Sequence, residues 1–311
     1  MHFDGLPKNA VIREVCPRDG FQGICDFIPT GKKVEFIGQM LSTGIKEMEI
    51  TSFVSPKAIP QLSDAAQVLP AVKREYPDVE FTALVPNVKG AENALAAGAD
   101  VVNVVFSVSE SHNMANIRRT VEQSLSGMDD IIALVRGKTK ICASMATSFM
   151  CPFEGRIDPR RVAELIGKVR AKGVDCITLA ETIGTCTPKD FTETLQVVKP
   201  ALEGIPTYLH IHNTYGFADM NVKCALDEGF NRFDSAVGGL GGCPFAPGAA
   251  GNAATEDLVY LMQSMGVDTG LDPLRVVTVA RALKAYGLRT RGSLCASSFG
   301  KPKPEMPVQN Q

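Results

Sequence analysis

One pattern recurs along this chain and leaves few folds open to it: a helix-like segment, a glycine, then an apolar, β-rich run. It occurs as Leu41-Ser-Thr-Gly44 before Ile45–Thr51 and as Leu95-Ala-Ala-Gly98 before Val101–Phe106. It returns as Arg170-Ala-Lys-Gly173 before Val174–Ala180 and as Leu226-Asp-Glu-Gly229 before Arg232–Val237. Each glycine suits the left-handed position that ends a helix. Thr30, Asp158-Pro159, Thr187-Pro188 and Asp272-Pro273 read as helix N-caps, three of them with proline at the first helical position. Val11–Cys16, Val79–Val85, Lys140–Ala146 and Pro206–His212 read as the remaining strands, which makes eight strands alternating with helices. A run as apolar as Val101-Val-Asn-Val-Val-Phe106 suits a parallel strand buried on both faces. The expected fold is α/β, a (β/α)8 TIM barrel over residues 1–285. Residues 286–311 are expected to form a short C-terminal extension, partly disordered, with Ser293–Gln311 reading as a mobile tail.

In such a barrel the functional side chains gather where the strands end, at the C-terminal rim. The expected strand ends carry Arg18 and Asp19, then Glu49, Thr51 and Ser52, then Thr147, Glu181 and Thr182, and finally His210 and His212. After the last strand comes a glycine-dense loop, Gly238-Gly-Leu-Gly-Gly-Cys-Pro-Phe245, followed by Gly251-Asn252. His210 and His212 are two of only four histidines. Residues i and i+2 of a strand share a face, so the two rings form half of a metal site, unless one packs in the core and the other on the surface. The carboxylate of Asp19 would complete a mixed nitrogen and oxygen donor set.

Composition narrows the function classes. A net charge of −2 gives no footing for nucleic acid or an acidic membrane surface. No apolar run approaches the roughly 20 residues that a membrane span needs. Nine cysteines without a CxxC pair suit free thiols in a reducing compartment. Met1–Lys8 lacks the layout of a signal peptide, so a cytoplasmic location is expected.

With these residues in place, the chain resembles the hydroxymethylglutaryl-CoA lyase family, part of a wider group of metal-dependent barrels that includes isopropylmalate synthases. The resemblance runs from Val11 to about residue 270. Its anchors are Cys16-Pro-Arg-Asp-Gly20, Thr51-Ser-Phe-Val-Ser-Pro-Lys57, Cys151-Pro-Phe-Glu-Gly155, His210-Ile-His212, Gly239-Leu-Gly-Gly-Cys-Pro244 and Gly251-Asn-Ala-Ala-Thr-Glu-Asp257. It implies that Asp19, His210, His212 and Asn252 hold a divalent cation, Mg2+ or Mn2+. By itself Asn252 would read as a turn residue. The resemblance further implies retro-Claisen cleavage of an acyl-CoA substrate to acetyl-CoA and a 3-oxo acid, and a homodimer. Arg18 is expected to steady the enolate charge, or to pair with Glu49 across neighbouring strand ends. Glu49 matches the family's catalytic glutamate, Cys243 the cysteine of its mobile loop, and His210 is a ligand that could also relay a proton.

Several positions depart from the family's usual pattern: Gly20-Phe-Gln-Gly-Ile-Cys25, Ala180-Glu181-Thr182, Asn213, and Ser109-Glu-Ser-His-Asn113. These leave room for a different branched 3-hydroxyacyl-CoA. They also keep two rivals in view, a Claisen-condensing acyltransferase of the isopropylmalate synthase type and a barrel that binds without catalysing.

Overall fold

In the computed structural model, residues 5–242 and 251–301 are described. The strands are β1 (Val11–Glu14), β2 (Glu47–Ser52), β3 (Glu80–Leu84), β4 (Val101–Ser107), β5 (Lys140–Ala146), β6 (Met150–Cys151), β7 (Gly155–Arg156), β8 (Cys176–Glu181), β9 (Thr207–Ile211) and β10 (Arg232–Ser235). Eight of them close a parallel barrel in the order β1-β10-β9-β8-β5-β4-β3-β2, while β6 and β7 form a small antiparallel hairpin above β5. This is the expected (β/α)8 barrel. The helices lay apolar stripes on it at helical spacing, such as Leu125, Met128, Ile132 and Val135, or Phe191, Leu195, Val198 and Leu202. No described helix is long and apolar enough to cross a membrane.

The punctuation signals largely hold. Gly44, Gly98, Gly173 and Gly229 all have positive φ, and the side chains of Asp158, Thr187 and Asp272 each accept an amide N–H of the first helical turn. Thr30 is a correction. It is the first residue inside its helix, Pro29 occupies the cap, and the Thr30 hydroxyl donates to Asp64 Oδ2 instead (2.8 Å). The first strand also stops earlier than expected. Glu14 captures the amide of Cys16 (2.8 Å), Pro17 has no N–H to offer a ladder, and Cys16–Gly20 closes as a π-helical turn. From Ser293 as far as residue 301 the segment is hydrogen-bonded to the barrel's helices, and the rest of the expected tail lies outside the described residues. Asp257 accepts the amides of Ser293 and Leu294, and Arg281 gathers the carbonyls of Leu294, Ser297 and Phe299.

The barrel lumen is polar. Arg13 donates to both oxygens of Asp234 (2.8 and 2.9 Å), also donates to Thr178 Oγ1 (2.9 Å), and lies 4.0 Å over the Tyr208 ring. Asn103 donates to Glu49 Oε1 (2.7 Å) and accepts from Ser144 Oγ (2.8 Å). These bonds cross strands far apart in sequence and tie the wall that carries the site.

Candidate metal centre

The π-helical turn is what aims the first ligand. A widened, π-type turn is frequent at functional sites, where the extra residue in the turn redirects a side chain. Here it places Asp19, 6% exposed, against His210 of β9 and His212 just after it. Asp19, His210 and His212 each bring one ligand atom within 4.8 Å of the others. The two imidazoles face one another, Nε2 to Nε2, at 3.0 Å.

His210 is oriented from behind. Its Nδ1 lies 3.1 Å from Asp234 Oδ2, and Asp234 is held in turn by Arg13. A ring that donates its Nδ1 proton to a carboxylate presents a bare Nε2 lone pair to the site, which is how metal-binding histidines are usually set. The donor set of one carboxylate and two imidazole nitrogens therefore fits a divalent cation. Among the described residues no cysteine joins this cluster.

Asn252 also arrives at the centre. It pairs with His212 in an isolated β-bridge, and its amide donates to Asp19 Oδ2 (2.6 Å) and to the Leu240 carbonyl (2.9 Å). Gly241 explains part of the glycine density nearby. Its φ is +113°, and a Cβ there would stand 2.4 Å from Asn252 Nδ2 and 3.0 Å from Asp19 Oδ2. Only a glycine lets the loop backbone press this closely on the ligands.

Arg18 bridges the ligands and the next strand. Its Nη1 donates to Asp19 Oδ1 (2.5 Å) and its Nε to Glu49 Oε2 (2.5 Å), so the expected pairing across strand ends is present and the guanidinium lies beside Asp19. A register shift in β2 between Glu49 and Thr51 leaves a bulge beside that carboxylate. Both Glu49 oxygens are engaged, one by Arg18 and one by Asn103. Cys243 lies outside the described residues.

Electrostatics match the geometry. Burial alone would raise the Asp19 carboxyl, but the Arg18 guanidinium and the two imidazoles bring it down to about 2. Burial, and then the neighbouring His210, push His212 down to about 4, so its ring is neutral over the ordinary range. His210 shifts the other way: burial would lower it, but the hydrogen bond and charge of Asp234, with Asp19, raise it.

Not every expected rim residue converges here. Glu181 points to the far side of β8, where it accepts the amides of Thr185 and Cys186 (3.2 Å each) and anchors that loop. Asn213 likewise caps the following helix through the Ala218 amide (3.1 Å). Conversely, the sequence reading passed over Arg13, Asp234 and Asn103. Asn103 carried a visible signal, an amide inside the otherwise apolar Val101–Phe106 run, whereas Arg13 and Asp234 sit in short strands with other polar residues.

The profile of the HMGL-like family matches residues 9–283. The cytoplasmic 3-hydroxy-3-methylglutaryl-CoA lyase of Rattus norvegicus is 38% identical over 96% of this chain and 87% of its own length. The mitochondrial hydroxymethylglutaryl-CoA lyase of Bos taurus is 39% identical over 86% of this chain and 82% of its own. Among solved structures, an HMG-CoA lyase of A. baumannii in complex with coenzyme A and 3-methylmalate superimposes with a TM-score of 0.90 at 40% identity, covering 96% of this chain and 98% of that one.

Proposed function

From the premise that this chain belongs to the HMGL-like family, we propose that it is a metal-dependent carbon–carbon lyase that cleaves 3-hydroxy-3-methylglutaryl-CoA to acetyl-CoA and acetoacetate. The observation that carries this reading is the convergence of Asp19, His210 and His212 on one point, with Arg18 beside them. Asp19, His210, His212 and Asn252 would hold the ion, and oxygen and imidazole donors favour Mg2+ or Mn2+ over zinc bound to thiolate. Bound there, the ion would supply Lewis acidity to a substrate hydroxyl, easing transfer of its proton to a base, a role we assign to the Glu49 carboxylate.

The residues of the chain do the rest. As the C2–C3 bond opens, its electron pair moves into the thioester and leaves an acetyl-CoA enolate. Arg18 keeps a fixed positive charge where that enolate oxygen forms, and Glu49, locked by Asn103, holds the guanidinium in place. Asp234 fixes the tautomer of His210. The enolate carbon then takes a proton, a step we assign to Cys243. The relatives' lyase names and the coenzyme A bound to the A. baumannii enzyme support an acyl-CoA substrate.

The test is a coupled assay of acetoacetate release from 3-hydroxy-3-methylglutaryl-CoA with Mg2+ or Mn2+. Cleavage that stops with chelator and returns with either ion is expected. Metal-loaded protein that leaves this thioester intact would overturn the assignment.

A further inference from the structure

The glycine-rich turn after β10 is gripped from outside by the C-terminal segment, which the sequence alone suggested was an appendage. Gly238 has a φ of +74°, and its carbonyl accepts the amides of Arg291 (2.7 Å) and Gly292 (3.3 Å). Its own N–H donates to Glu256 Oε2 (2.9 Å). A Cβ on Gly238 would stand 2.8 Å from Thr290 Cγ2, so the methyl of Thr290 already fills the space beside that residue. Residues 290–292 therefore hold the turn both by hydrogen bonds and by direct packing.

From Gly238 the grip passes inward through bare backbone. A Cβ on Gly239 would meet the Gly292 nitrogen at 3.5 Å and the Asn252 carbonyl oxygen at 3.3 Å. A Cβ on Gly251 would fall 2.2 Å from the Gly239 oxygen and 2.7 Å from that of Gly241. Three stretches, 290–292, 238–241 and 251–252, thus lie backbone against backbone, a closeness that glycine permits. The innermost of them reaches the metal centre, where the Asn252 amide joins the Leu240 carbonyl to Asp19. The outermost is itself anchored. The short helix Ser293–Ala296 follows Gly292 directly, Asp257 accepts the amides of Ser293 and Leu294, and Arg281 draws in the carbonyls of Leu294, Ser297 and Phe299.

We infer that the C-terminal segment is a working part of the metal centre: Thr290, Arg291 and Gly292 are positioning residues that set the Gly238–Gly241 turn and, through it, the approach of Asn252 and Asp19 to the ion. The inference rests on the lyase reading above, in which those two residues are ligands. Gly292 is the sensitive point. A Cβ there would fall 2.0 Å from Glu256 Oε1 and 3.2 Å from Ala254 Cβ. Glu256 is fully buried, so its displaced carboxyl has no solvent to swing into, and its other oxygen holds the Gly238 amide. Ala254 lies two residues beyond Asn252. One added methyl therefore pushes on the turn and on the ligand strand together, although Gly292 itself touches no ligand side chain.

The test is calorimetric titration of the full-length protein with Mn2+, at a temperature where circular dichroism shows each variant folded. Gly292→Ala is expected to weaken Mn2+ binding by roughly 10–100-fold, the range for lost outer support of a metal ligand. Arg281→Met frees the helix after Gly292 without adding bulk at the turn. It should weaken binding by about threefold or more, the scale of coupling through a remote contact, and it decides the question if Gly292→Ala does not fold. Leu202→Ala is the control for general loosening. It truncates a buried side chain at the end of the helix Pro188–Leu202, which runs back from the rim to the opposite face of the barrel. The cavity lowers stability, yet Mn2+ affinity should stay at its wild-type value. Wild-type affinity in folded Gly292→Ala, or a matching loss in Leu202→Ala, overturns the proposal and leaves the lyase assignment standing. Wild-type protein that binds no Mn2+ overturns both.

Discussion

Buried carboxylates occur in two settings in this barrel, and their contrast separates chemistry from scaffolding. At the centre, Asp19 and Asp234 face guanidinium groups, Arg18 and Arg13, and both are held below the ordinary carboxylate range. In the belt outside the lumen, Glu14, Glu181 and Glu256 sit on backbone amides instead. Glu14 accepts from the amides of Cys16 and Val237 and from the Thr255 hydroxyl, Glu181 from the amides of Thr185 and Cys186, and Glu256 from that of Gly238. Burial raises these three to about 7, 7 and 8. Depth is common to both groups, so it does not distinguish them. A neighbouring cation keeps a buried carboxylate charged, whereas neutral donors alone do not offset burial, which favours the neutral form. The first group lies at the candidate metal centre and the second pins loops around it.

The contrast can be broken most severely at the ligands. His212→Ala should abolish stoichiometric Mn2+ binding in calorimetry and cut cleavage by roughly 10^3-fold or more, the scale of lost metal catalysis. Next in size, Arg13→Met leaves Asp234 buried without its cation. Chemical denaturation should show a loss of about 3–5 kcal/mol, the usual cost of breaking a buried pair from one side. Wild-type stability in that variant would mean that the pair does not tie the wall. Asp234→Asn should act more mildly on metal, lowering Mn2+ affinity by roughly 10–100-fold through lost orientation of His210.

The smallest effect concerns the amide-held group. Between about pH 4.5, where the unfolded chain titrates, and about 8, the native state binds the extra proton on Glu256. Stability therefore falls as pH rises through that window and levels off above it, at a slope of at most about 1.4 kcal/mol per pH unit for one group. Melting curves at pH 5 and pH 8.5 should show a flatter dependence for Glu256→Gln than for wild type, with Mn2+ affinity unchanged. A variant with the wild-type slope would remove Glu256 from the second group.

Much of this was legible in the residues. The helix–glycine–strand repeat is local information: a left-handed glycine, a proline at a first turn and an apolar run each act within a few residues, so strand positions came within two or three residues of those observed. The ligand pair was legible for the same reason, because His210 and His212 lie one pleat apart on a single strand. What escaped were partners distant along the chain. Arg13 and Asp234 meet only because β1 and β10 close the barrel, and nothing near either residue announces the other. Glu181 was misplaced because its face depends on register, which a single strand does not carry.

The residue pattern by itself thus determined the eight-unit barrel, the rim as the place of function and the candidate ligands, since periodicity and turn chemistry are short-ranged. Closure of the barrel decided which side chains share the lumen and which carboxylates gain a cation. Those outcomes depend on neighbours brought together by strand register, and register exists only once the sheet has closed.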